Sequence, residues 1–265
     1  MPPGVLSRPD FVGVRAKLER AQKHRKAFDE VFETYRKKNT EVMAVEQHSD
    51  GLLLVIRAEA FPIEIGLILG DMVNCIRGAL DHSAFALMRW NTRRLRDEVK
   101  IARLEASSRF PICDSPSSFA NSQRYIEGVS VRGKTVIERL QPYRDQRHPL
   151  QASPLRMLRE LSNADKHRVL NPVYAVGALG NIHFSSATPV TPFTIWTAGP
   201  LEYGTGIAKV YFPDGPPPHV RVRGTGGIAP VLYDGWTLLG GVTSILDGIY
   251  DAVEKAVERM RRTTF

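Results

Sequence analysis

Apolar residues recur along 61–90, FPIEIGLILGDMVNCIRGALDHSAFALMRW, at the spacing of an α-helix. With 100° per residue, Leu69, Met72, Val73, Ile76, Leu80 and Leu87 gather on one side. The spacing predicts one long central helix. Pro62 falls in a first turn, where its missing N–H is harmless, and Glu64 lies near the positive end of the helix dipole. The other side carries Asp71, Asn74, Arg77, Asp81 and His82, with Gly78 in their midst. A face turned to solvent would use Glu, Lys and Gln, which form helices better than Asp, Asn and Gly. Short, directional polar groups make this face the strongest functional clue in the chain.

The same patterning assigns the rest. A helix is expected over 10–38, with Val14, Leu18, Ala21, Ala27, Phe28, Val31 and Phe32 inward and Arg36-Lys37-Lys38 at its negative end. Two alternating runs flanking Ser49-Asp50-Gly51 predict a hairpin within 41–59. Residues 92–106 read as an exposed, charged helix, Arg109–Ser118 as a loop, and Ser117–Tyr125 and Lys134–Leu140 as short helices. Ser153 is placed as an N-cap, Pro154 as the first helical residue, and Leu155, Leu158 and Leu161 recur behind them. From Val173 to Tyr233, Gly, Pro, Thr and aromatic residues predict antiparallel sheet with turn-rich connections. Gly224-Thr225-Gly226-Gly227 reads as a flexible turn, since no Lys-Ser/Thr pair follows as a phosphate loop requires. Asp234–Met260 returns to helix, with Val242, Ile245, Leu246, Ile249, Val253, Val257 and Met260 as its apolar stripe. The sum is an α+β fold in one domain: a helical part, 10–172 with the hairpin plus 234–262, and a β-rich part, 173–233.

Composition changes little in that picture and charge changes more. Of 265 residues, 43% are hydrophobic and 24% charged, which suits a globular core. There is no apolar run of about 18 residues to cross a membrane, and MPPGVLSRPDF has no apolar leader segment. Cys75 and Cys113 lack metal-ligand spacing and read as reduced thiols, so a cytoplasmic setting is expected. A net charge of +8 and a pI near 9.6 favour polyanionic partners such as RNA. Arg139, Arg144, Arg147, Arg156 and Arg159, with Tyr143 among them, concentrate that charge mid-chain.

Arg77-Gly78-Ala79-Leu80-Asp81-His82 joins the residue types that phosphodiester cleavage needs: a guanidinium to neutralise phosphate and an imidazole to move a proton. This R-x4-H helix resembles the signature of the HEPN superfamily, helical bundles that include metal-independent ribonucleases. The residue after the arginine, usually polar in that family, is Gly78 here. RGALDH and LRELSNADKHR together resemble paired motifs of a group of uncharacterised bacterial proteins. The HEPN resemblance implies an endoribonuclease, as in phage defence or a toxin system, with Arg77 and His82 catalytic and no cofactor. It also implies a homodimer through the central helix, its axis near Gly78.

Asn74, Asp81, Asp165, His167 and Arg168 are the expected supporting polar network, with the Asp165–Arg168 segment docked on the helix's polar face. Asp81, His82, Asp165 and His167 have the donor chemistry for zinc, manganese or iron, yet lack HExxH or CxxC spacing, so no metal is assigned. The residues alone leave a second reading open. Arg77 and Asp81, at i and i+4, would form an ordinary ion pair in a non-enzymatic binding or structural protein whose polar helix face is a packing network.

Overall fold

A computed structural model describes residues 9–39, 43–57, 59–146, 153–170, 172–185, 194–195, 203–212, 221–233 and 238–263. The fold is α+β and helix-dominated. Helices α1 (Val12–Lys38), α2 (Ile63–Thr92) and α6 (Pro154–Asp165) lie where the apolar spacing predicts them. The inward residues expected of α2 are all buried, so its apolar stripe is the spine of the helical core. Buried Tyr35 joins the expected inward set of α1, while Ala27, Val31 and Phe32 are half-buried.

Helix α3 (Glu98–Ser107) starts six residues later than expected, because the Asp97 carboxylate caps it, accepting from the Lys100 N–H at 2.9 Å. Helices α4 (Pro116–Asn121) and α5 (Val131–Arg139) flank a 3-10 turn at Gln123–Ile126, and another turn covers Pro142–Arg144. Helix α6 continues through Asn163. Ser153 precedes it as expected but makes no side-chain cap bond. The last helix, α7 (Val242–Arg262), begins later than Asp234, since Leu238–Gly241 is strand. Ala256 is buried on α7 and Val257 only half-buried, which rotates the stripe slightly.

The strands form two antiparallel sheets. One has the order β1 (Met43–His48), β2 (Gly51–Ile56), β5 (Gly206–Tyr211) and β4 (Thr194–Ile195); the other is β3 (Pro172–Ser185), β6 (Arg221–Tyr233) and β7 (Leu238–Gly241). The expected hairpin is present, with His48 opposite Gly51. Gly51 begins β2 rather than making the turn: a Cβ there would lie 2.1 Å from the Val210 carbonyl oxygen of β5. The Gly224–Gly227 run is strand, not turn. Thr225, Gly226 and Gly227 pair with Gly180, Leu179 and Ala178, so backbone hydrogen bonds supply what the side chains cannot.

Within the single chain, two compact units can be distinguished. Residues 1–28, 67–170 and 245–265 form a helical unit; 29–66 and 171–244 form a β-rich unit. The hairpin therefore belongs with the strands, because β2 pairs with β5 through backbone bonds from Gly51 to Val55. In the β-rich unit Leu52, Val210 and Phe212 form a buried cluster.

Candidate functional site

The polar face of α2 meets a buried loop. Phe110-Pro111-Ile112-Cys113 is an apolar run without regular structure, and all four residues are buried. Backbone N–H and C=O groups taken from water must find partners. Here side chains provide them. The Asp81 carboxylate accepts from the Phe110 N–H at 2.9 Å, and the Arg77 guanidinium donates to the Phe110 carbonyl at 2.5 Å. Arg77 and Asp81 are joined to each other at 3.0 Å, closing a triangle around one residue's backbone. Gln141, 0% exposed, donates to the Pro111 carbonyl at 3.0 Å and accepts from the Cys113 N–H at 2.9 Å. Arg159 of α6 donates to the Ile112 carbonyl at 3.3 Å and pairs with Asp114 at 2.6 Å. Four side chains from three parts of the chain thus do the work of a sheet ladder.

A cavity of about 250 Å³ opens beside this loop. Arg77, Arg109, Arg159 and Lys166 line it, with Ser122, Tyr125, Ser162 and Asn163 among the polar groups between them. Asp81 and Asp114 offset two of the four cations, those of Arg77 and Arg159. Exposed Arg109 lies 3.6 Å from the centroid of the Tyr125 ring, and exposed Lys166 donates to the Asn163 side-chain oxygen at 3.4 Å, its one side-chain hydrogen bond among the described residues. Burial pushes the Arg77 guanidinium below its ordinary pKa, against the opposing pull of Asp81, and the charge of Arg109 adds to the lowering. An arginine stays protonated at neutral pH regardless, so the cavity is a region of uncompensated positive charge. Hydrogen bonds from Arg124 and Arg109 hold the Tyr125 phenol below its usual pKa, the Arg124 bond contributing most.

The remaining expected site residues are distributed around this core. Asn74 and Asp165 meet: the Asn74 amide donates to Asp165 at 2.7 Å, and a Cβ on Gly70 would lie 2.0 Å from the same carboxylate. The 165–168 segment therefore docks on α2 through Asp165, while His167 and Arg168 are exposed. His82 is exposed too, its ring over Gly13 of α1, where a Cβ would come within 2.7 Å of Nδ1. It is not among the residues lining the Arg77 cavity, in keeping with a five-residue separation that turns side chains about 140° apart. The expected single network is thus two separate pairs, Arg77–Asp81 and Asn74–Asp165. Among the described residues no group of three or more His, Cys, Asp or Glu converges as a metal site would require. Gly78 faces Lys17 of the same chain, whose side chain would lie 3.4 Å from a Cβ there. Both cysteines are free thiols; burial raises the Cys75 pKa.

Sequence reasoning missed Gln141 and the Phe110–Cys113 loop. The signal was present: four consecutive apolar residues containing a proline, bracketed by Arg109 and Asp114, describe a buried irregular segment. Such a segment demands polar side chains elsewhere to satisfy it. No family model matches the chain, and no curated protein or solved structure matches it significantly.

Proposed function

We propose that this chain is a non-enzymatic binding protein, and that its basic cavity takes the oxyanion head group, phosphate or carboxylate, of a small ligand. The observation that carries this reading is the occupation of Arg77: its guanidinium is already held by Asp81 and the Phe110 carbonyl. A group that secures a loop cannot also swing onto a scissile phosphate without unbuttoning that loop. His82, the proton carrier the HEPN resemblance assigns, lies on another aspect of the helix, over Gly13. Arg109 and Lys166 are the cations left to bind, Arg109 offering a planar fork and Lys166 a mobile point charge.

Thermal unfolding in rising inorganic phosphate, or acetate in a parallel series, tests the proposal. A ligand that binds only the folded state raises Tm with concentration. The wild type should show that rise with at least one anion, and Arg109→Ala/Lys166→Ala should show a smaller one. Both residues are exposed, so the variant keeps its fold. An equal rise in both proteins, or none in the wild type, contradicts the assignment.

A further inference from the structure

A second, larger cleft lies at the start of α6, and nothing in the Arg77 site accounts for it. It encloses about 540 Å³ between the turn after α5, the first residues of α6 and one face of α7. Arg139, Arg144, Lys255 and Arg259 line it, opposed by Asp145 and Asp251. Lys255 and Arg259 follow Asp251 at intervals of four on α7, which places all three along one stripe of the helix. Arg144 is held by Glu138 at 2.7 Å. Among the described residues Arg139, Lys255 and Arg259 make no ion pair.

The decisive group is Ser153. It occupies the N-cap position of α6 and lines the cleft at only 1% exposure, yet its hydroxyl makes no hydrogen bond to the helix it precedes. A serine there ordinarily accepts from an N–H two or three residues on, satisfying one of the first-turn donors that no helix can bond internally. A buried hydroxyl left without that bond, at the positive end of a twelve-residue helix and in a cleft also lined by Arg139 and Arg259, is arranged to meet an acceptor from outside. We propose that this cleft is a phosphoryl-binding site. The phosphate oxygens would accept from the Ser153 hydroxyl and from Arg139 and Arg259, with Lys255 as a further counter-charge. A phosphoryl group fits better than a carboxylate, since it has enough terminal oxygens for a hydroxyl, two guanidinium groups and an ammonium at once.

Titration calorimetry separates the sources of such a group. The probes are inorganic phosphate, a 5′-phosphorylated RNA trinucleotide and the same trinucleotide with a 5′-hydroxyl. The proposal expects saturable binding of at least one probe that weakens about tenfold or more in Arg139→Ala/Arg259→Ala, the scale of losing charge-assisted hydrogen bonds. It also expects the binding that Arg139→Ala/Arg259→Ala removes to weaken in Ser153→Ala and to persist in Arg109→Ala/Lys166→Ala, which lose only the component belonging to the Arg77 cavity. Preference for the 5′-phosphate identifies a monoester site; equal binding of the two trinucleotides identifies a backbone diester site. Absence of binding by all three probes overturns the proposal. Affinities untouched by Arg139→Ala/Arg259→Ala, with the variant's circular dichroism confirming its fold, overturn it too.

Discussion

Asp81 accepts from both the Arg77 guanidinium and the Phe110 N–H, and Arg77 in turn satisfies the Phe110 carbonyl. Removing either partner strands the other beside a buried backbone group, so the loss exceeds the value of one bond. Asp81→Ala and Arg77→Ala should each lower stability in urea by about 2–3 kcal/mol. The double variant should fall short of their sum by about 1 kcal/mol or more, because both substitutions break one network. Additive losses would mean the two side chains act independently. That Arg77 and Asp81 pair was legible from their i, i+4 spacing. That they pair in order to hold Phe110 was not, because the loop comes 29 residues after Asp81 and only folding brings it to the helix.

At the scale of elements, periodicity located α1, α2 and α6 well because one apolar stripe decides each of them. It located the strand boundaries poorly. The Gly224–Gly227 run has no side-chain signal, and its strand conformation comes wholly from pairing with β3. The glycines of α2 make a sharper test. Gly70 admits the Asp165 carboxylate against the helix, and a methyl group there would collide with it at 2.0 Å. Among the described residues, the atoms nearest a Cβ at Gly78 belong to the flexible side chain of Lys17, at 3.4 Å. Gly70→Ala should therefore destabilise the protein, by expelling Asp165 from its bond with Asn74. Gly78→Ala should be neutral or stabilising by about 0.5–1 kcal/mol, the helix-propensity gain of alanine over glycine. Thermal melts of the two variants check this, and a destabilising Gly78→Ala would point to a close neighbour other than Lys17.

Over the whole molecule, the excess of eight positive charges is locally organised. Among the mid-chain arginines, Arg156 and Arg159 are paired with Glu160 and Asp114, and Arg147 lies outside the described residues. Arg139 and Arg144 contribute to the cleft at the start of α6. No helix among the described residues is long and apolar enough to cross a membrane. The R-x4-H string and the basic charge both invite a ribonuclease, yet the side chains that would perform it are on separate aspects of α2, one of them committed to a loop. Incubating total RNA with the wild type and with His82→Ala, each with and without chelator, is the most direct test of that account. It predicts the same RNA size distribution in all four reactions as in a protein-free control. RNA cut by the wild type and spared by a folded His82→Ala would contradict it.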